Sequence, residues 1–341
     1  MATLGATVKT LADWGKEIGP DGKTAKIIEI LSQTNEVLED AMWKEGNLPT
    51  GEQTSICTGL PATYWRMINQ PIATSKSTTA QVTETCGMLE SYSETDIALA
   101  RLNGNVGQFR LNTSRPFMES MSQELASTMF YGAASAPEEF VGFANRYAAT
   151  TDANGENILL AGGSGADNAS VYLIGWGENT IHGIFPKGSK AGLEHADLGE
   201  QVVTGTAGVG GTRMRAYVDH FKWDAGLVVK DWRYGVRIAN IDISDLAGLS
   251  GTQELTDSTL IIKLMSRAID RMPTTTGINL AFYANRTVKS LLRVAALEKS
   301  SSALSIEAGL NQFGQNIQMV KFLGIPVRTC DALTNAESLV A

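Results

Sequence analysis

Residues 70–90 read QPIATSKSTTAQVTETCGMLE, and the reading of the whole chain turns on them. β-Branched and polar residues alternate through Gln81-Val82-Thr83-Glu84, the period of a strand, while large apolar side chains are scarce. The pattern predicts a hairpin with little core beneath it. A two-stranded hairpin alone is marginal in water, so this one is expected to rest on another surface, that of a second subunit.

On the N-terminal side, Leu60 to Asn69 reads as a short helix with Pro61 in its first turn. Further back, Ile27, Leu31, Leu38 and Met42 recur at helical spacing, which predicts a helix over Lys23–Trp43 with Asp21 as cap and Gly46 as stop. Gly5, Gly15, Gly19 and Pro20 leave only a thin arm before it, of the kind that lies along something else.

On the C-terminal side, Ser114-Arg115-Pro116 reads as a helix start, with Ser114 as N-cap and Pro116 in the first turn. Phe117, Met121, Leu125 and Met129 then form a stripe at spacing four that ends before Gly132. Methionines can make a pliable binding surface, but core packing is the simpler reading. The middle third turns to strands: Val171–Trp176 and Thr180–Phe185 as a hairpin across Gly177-Glu178-Asn179, then Met214–Trp223, Gly226–Trp232 and Val236–Ile243. In the last third Asp257 caps a helix through Met272, INLAFYA is a strand, Asn285 caps a second helix, and IQMVKFL and VRTCDAL are strands around Gly324-Ile325-Pro326.

Signals of chemistry are weak throughout. AGGSGADNASVYLIGWG, Ala161 to Gly177, misses the esterase pattern Gly-x-Ser-x-Gly because Ala166 stands where glycine is required, so its glycines are read as a loop entering a sheet. GIFPKGSK, Gly183 to Lys190, resembles a phosphate loop with Ser189 and Lys190 in the wrong order and no helix behind it. His182, His195 and His220 form no metal-binding pair by spacing, and each is read as structural. Asp219, Asp224 and Asp231 lie close in sequence, but alternate strand residues face opposite ways. Asp231 with Arg233 or Arg237 reads as a cross-strand ion pair. No cofactor is expected.

At 341 residues, with 43% apolar and 19% charged residues, the chain is long enough for one large domain or two packed ones. No apolar run approaches the ~20 residues of a spanning helix, and no secretory signal opens the chain, so it is expected to stay where it is made. Cys57, Cys86 and Cys330 are widely spaced and read as packing thiols of a reducing compartment. A net charge of −8 without a basic stripe argues against gripping nucleic acid, though not against enclosing it.

Four stretches taken together resemble the major capsid proteins of tailed bacteriophages with the Hong Kong 97 fold. FLGIPVRTCDAL, Phe322 to Leu333, resembles the family's C-terminal strand. LAFYANRTVKSLLRV, Leu280 to Val294, resembles the strand and helix before it. RPFMESMSQELASTMFYGAASAPEEFVGF, Arg115 to Phe143, resembles the spine helix. SVYLIGWGENTIHGIFPKGSKAGLEHADLGE with VKDWRYGVRIANID resembles a podovirus-type subgroup.

The resemblance runs from about Leu60 onward and implies an α+β capsid fold. Its parts are an N-terminal arm and helix (1–50), an extended hairpin loop (51–95), a peripheral domain with the spine helix (96–160), a β-rich region (161–250) and an axial α/β domain with the C-terminal strands (251–341). It implies intersubunit contacts through Ser75, Lys76, Ser77, Gln81 and Glu84, and a spine helix carrying Phe117, Met121, Leu125 and Met129. Function is then mechanical: copies form pentamers and hexamers, close into an icosahedral virion shell in the bacterial host cytoplasm, and enclose double-stranded DNA without binding it specifically. Partners are the chain itself, a separate scaffolding protein, a portal and a decoration protein, with no membrane. Some relatives crosslink a loop lysine to an asparagine of another subunit; Lys76 stands in that place, but an exposed loop lysine is ordinary and no crosslink is expected. The alternatives are a hydrolase using Ser164 or the Asp219, Asp224 and Asp231 group, a tail or adhesin component, and a nanocompartment shell of the same fold.

Overall fold

The computed structural model describes residues 32–102, 105–204, 213–243, 253–297, 304–310 and 316–341. The thin arm and the Lys23–Leu31 part of the first expected helix lie outside these residues. In chain order the elements are α1 (Val37–Asp40), β1 (Trp43–Glu45), β2 (Gly51–Gly59), β3 (Thr78–Asp96), α2 (Ile97–Arg101), α3 (Val106–Tyr131) and α4 (Phe143–Arg146). Then come β4 (Ile158–Leu160), β5 (Asn168–Trp176), β6 (Ile181–Phe185), β7 (Glu194–Thr204), β8 (Arg213–Val229) and β9 (Gly235–Asp242). The chain continues with α5 (Gln253–Asp270), β10 (Asn279–Ala284), α6 (Arg286–Leu297), β11 (Leu304–Leu310), β12 (Asn316–Phe322) and β13 (Ile325–Thr329). Contacts divide the chain into two compact units, one of residues 1–34, 88–127 and 192–224, the other of residues 35–87, 128–191 and 225–341.

The larger unit is organised on β5, whose nine residues are all buried. A strand that is apolar on both faces must be covered on both, which is why ASVYLIGW reads as a run and not as an alternation. Antiparallel β9 and β10 flank it, with Tyr172 opposite Arg237 and Leu173 opposite Phe282. β10 continues in parallel to β13, and antiparallel β12 and β11 follow. Phe130, Phe143, Tyr172, Trp176 and Tyr283 fill the core as tilted and edge-on ring pairs, and the Trp176 indole donates to Tyr283 Oη at 2.8 Å. Asn285 caps α6 as its position predicts, accepting from Val288 N at 2.8 Å, and turns Val288 and Leu292 inward. The final segment is laced to the same core: Glu337 N bonds Asn168 O, and Val340 exchanges two bonds with the Asn240 side chain.

In the smaller unit β7 and β8 form an antiparallel pair from Glu194–Lys222 to Thr204–Arg213. Leu99, Ala100 and Phe109 make its apolar cluster, with Val106 and Tyr217 packed against it. Asp96 caps α2 and Asn105 caps α3, each accepting a backbone N–H of the first turn.

Several expected elements come out differently. The helix expected to reach Trp43 is one turn, because Ala41 takes an extended backbone and Trp43 enters β1 beside β6. The indole of Trp43 packs where a Cβ on Gly183 would lie 2.6 Å from its ring, so β6 needs glycine there. Leu60–Asn69 is not helical; only Met67–Gln70 closes a turn, with Asn69 at φ 66°. α3 begins at Val106 with Asn105 as its cap, so Ser114 and Pro116 are interior and not cap and first turn. Pro116 leaves the Asn112 carbonyl without its helical donor, and the helix nevertheless continues to Tyr131. β5 and β6 are not a hairpin: Thr180 Oγ1 bonds Gly175 O and sends the chain on to pair with β8 and β1. The two strands expected over 214–232 are one continuous β8, since Asp224-Ala225-Gly226 stays extended. α5 starts at Gln253, so Asp257 is inside the helix and not its cap.

Candidate assembly surface

Of residues 70–90, Thr78 onward lie on one strand of a longer hairpin and the rest lie in its tip. β3 pairs with β2 from Gly51–Thr85 to Gly59–Thr78, with an irregularity between Cys57 and Gly59. The sequence signal of strand period at 81–84 was right, but the partner strand is Gly51–Gly59 and the eighteen residues 60–77 form the tip.

The base is fixed by polar chemistry. Gly51 lies so close to β3 that a Cβ would sit 1.9 Å from Glu84 O, which demands glycine. The Asn47 side chain bonds both the N–H and the carbonyl of Gln53. Glu84 turns inward and takes a two-pronged contact from Arg146, 2.7 Å on each oxygen, and the same guanidinium bonds Val141 O and Leu227 O. Glu52 accepts from Lys230 at 2.8 Å and from His182 at 3.1 Å.

His182 is fully buried on β6. With Nε2–H donated to Glu52, its Nδ1 faces no partner among the described residues. Protonating Nδ1 buries an unpaired N–H, and burial, reinforced by Lys230 and Lys44, holds the imidazole below its ordinary value of 6.5 despite the Glu52 carboxylate. Burial also works against the Glu52 carboxylate, but the Lys230 and His182 bonds prevail and hold it low. In both cases the unfolded chain binds a proton that the folded chain does not, so stability rises with pH. The His182 contribution is complete above pH 6.5 and is lost as pH falls below it; that of Glu52 is lost further down, below pH 4.5. Urea titrations of the subunit at pH about 7.5 and about 5.5 are expected to show a lower midpoint in acid, by a margin that shrinks in His182→Gln. Equal midpoints in the unaltered chain contradict the assignment.

The tip is the opposite of the base. Every residue from Leu60 to Ser77 is exposed, including Leu60, Tyr64, Trp65, Met67, Ile68 and Ile72. Its legs are held together by Ser75 Oγ donating to Ala62 O at 2.6 Å. It carries Arg66 and Lys76 and no acidic residue, within a chain of net charge −8. Of the residues expected at an intersubunit contact, Ser75, Lys76, Ser77 and Gln81 are thus exposed, Gln81 bonded to Gln53, while Glu84 is an internal anchor. The apolar tip residues are missed in the sequence because YWRMI reads as part of a helix, and Pro61 and Pro71, which suit a first turn and a stop, do not argue against it. On α3, Met121, Leu125 and Met129 are buried and Phe117 half-buried, which makes the stripe packing.

The carboxylates weighed for catalysis are each occupied. Asp219 holds Arg110 at 2.7 Å and His195 at 3.0 Å, Asp224 holds Lys222 at 3.0 Å, and Asp231 holds Arg233 at 2.7 Å. Asp231 caps the turn at Trp232–Tyr234 and pairs two residues along, not across strands, while Arg237 pairs with Glu337. Ser164 is exposed in a loop with Gly162 and Gly165 at positive φ, and the three histidines bond Glu52, Asp219 and Glu90 instead. An open groove of about 750 Å³ beside β2 and Val229–Arg233 contains neither histidine nor a pair of carboxylates. Among the described residues no cluster is placed to hold a metal ion, and no helix is long and apolar enough to cross a membrane.

Comparison with known proteins speaks to the whole chain. The family model described as major capsid protein GP7 matches residues 19–341. A solved chain of bacteriophage Epsilon15 is 30% identical and superposes with a TM-score of 0.76 over 100% of this chain and 99% of its own. The capsid of bacteriophage JBD30 is 9% identical with a TM-score of 0.46, over 89% of this chain and 92% of that one. The SrpI encapsulin of Synechococcus elongatus PCC 7942 is 8% identical with a TM-score of 0.41, over 69% and 96%. The last two are too remote to carry weight. Curated proteins give no match. An unsupported hairpin with a bare apolar tip, an α+β fold of the Hong Kong 97 type and a family match over nearly the full length agree: the chain belongs to the GP7 family of tailed-phage major capsid proteins and forms the capsid shell of the virion.

Proposed function

We propose that copies of this chain associate through pentamers and hexamers into an icosahedral shell around double-stranded DNA, with the β2–β3 hairpin reaching onto a neighbouring copy. One observation carries the proposal: the hairpin is anchored at its base by Glu84–Arg146 and Glu52–Lys230, yet its tip leaves Trp65 and Ile68 wholly bare. Apolar side chains of that size bound in one patch mark an interaction surface, and a shell subunit meets its own copies first. Each contact is free to be weak, because many act at once.

In this reading residues 1–50 are an arm, 51–95 the extended loop, 96–160 the peripheral domain, 161–250 the β-rich region and 251–341 the axial domain. Ser75, Lys76, Ser77 and Gln81 belong to the contact surface, and Glu84 holds it in place. The stripe Phe117, Met121, Leu125 and Met129 supports the spine helix. A separate scaffolding chain, a portal and a decoration protein are the expected partners, and assembly takes place in the host cytoplasm. The chain has no catalytic role, and its negative charge keeps packaged DNA from adhering to the wall.

Replacing residues 61–76 by a two-residue turn tests this. The shortened chain is expected to remain folded by circular dichroism, since the tip has no core contacts, and to yield no closed shells by electron microscopy and sedimentation velocity where the unaltered chain yields uniform ones. Normal shells from the shortened chain overturn the role given to the hairpin.

A further inference from the structure

The hairpin tip has a complement on the same chain. Along β3 the alternate residues Met88, Glu90, Tyr92 and Glu94 face solvent, while Ser93 and Thr95 on the opposite face are buried. Met88 is 70% and Tyr92 52% exposed, large side chains for a strand that is covered on its other face. The ladder is about 20 Å long at strand rise. Two of its side chains are held in place from the neighbouring strand: the His220 ring stacks on Tyr92 with centroids 4.4 Å apart, and its Nε2 lies 3.2 Å from Glu90. The nearby Lys222 is paired with Asp224, so Glu90 and Glu94 give the ladder its charge. One surface is therefore apolar with two carboxylates, the other apolar with Arg66 and Lys76 and no acid.

Resting on the reading of the hairpin as an intersubunit element, we infer that the tip of one copy lies on the Met88–Glu94 ladder of a second copy. Trp65 and Ile68 cover Met88 and Tyr92, and Arg66 and Lys76 face Glu90 and Glu94. Both patches are exposed in the single chain, their charges are opposite, and both are present on every copy. The contact joins two different surfaces, so it repeats head to tail and closes a ring of copies. Its charges set register and exclude wrong partners more than they add affinity.

Charge reversal with rescue separates this pairing from the broader role of the hairpin. Arg66→Glu with Lys76→Glu, and Glu90→Lys with Glu94→Lys, are each expected to lower the yield of closed shells by at least about tenfold, because like charges then face each other. The fourfold variant is expected to restore it. Loss in the tip pair without rescue in the fourfold variant overturns the ladder as receptor and leaves the hairpin as an assembly element. Unchanged yield in the tip pair overturns both. Met67→Cys with Met88→Cys supplies a second readout, independent of how well the reversed ladder folds: oxidised shells are expected to run as covalent multimers on a non-reducing gel, with neither single variant doing so. Monomers only from those shells count against the pairing.

Discussion

Replacing Glu337 by alanine is expected to lower the stability of the subunit by about 3–5 kcal/mol, the range found when one partner of a buried ion pair is removed. Both side chains of the Arg237–Glu337 pair are 5% exposed, and they meet at 2.8 Å. Glu337 also accepts from Tyr131 Oη at 2.6 Å and from the Ser170 hydroxyl, and burial beside this carboxylate pushes the Tyr131 phenol well up. Without Glu337 the guanidinium keeps the carbonyls of Ala144 and Tyr147 but has no counter-charge. The loss is read from urea midpoints of the unassembled subunit. The double change Arg237→Met with Glu337→Leu is expected to cost less than Glu337→Ala, since it removes the charge with its partner. An unaltered midpoint in Glu337→Ala means that the carbonyl acceptors suffice.

Phe130→Ala is expected to cost a similar amount, about 3–5 kcal/mol, as for large-to-small changes at aromatic core positions. Phe130 is fully buried, and its ring centroid lies 5.1 Å from that of Tyr172, 5.8 Å from Phe143 and 6.4 Å from Tyr283. A hole there borders α3, α4, β5 and β10 together, so no single side chain can collapse into it. Phe130→Leu keeps most of the volume and is expected to cost clearly less. Thermal unfolding of the two variants side by side decides the matter; equal losses point to strain elsewhere and not to a cavity.

The sequence was legible where local rules and burial agree. Asn285 capping α6, the buried strand at 279–284 and the methionine stripe of α3 needed only caps, periods and run lengths. It misled where tertiary pairing overrides a local signal. Ser114 and Pro116 look like a helix start, yet Asn105 upstream offers the same capping chemistry and α3 runs through the proline. Asp224-Ala225-Gly226 looks like a turn, but the strand assignment runs through it, with Gly226 paired to Ile184 on β6. A short helix without a partner is marginal in water, so Leu60–Asn69 had no means of becoming one. That reading hides the exposed apolar tip, because side chains on a helix face are taken as buried. The direction of Glu84 was equally out of reach, since only the register with Thr85 beside Gly51 and the position of Arg146 turn it inward.

The irregular pairing at Cys57–Gly59 separates two mechanical regimes of the hairpin. Below it, bending breaks ion pairs and a regular ladder; above it, the two legs share the Ser75–Ala62 bond. A bend applied at the tip is therefore taken up beyond Gly59, as in a stiff rod ending in a soft joint. The eighteen residues 60–77 can then change their angle while the ion pairs and the ladder at the base stay intact.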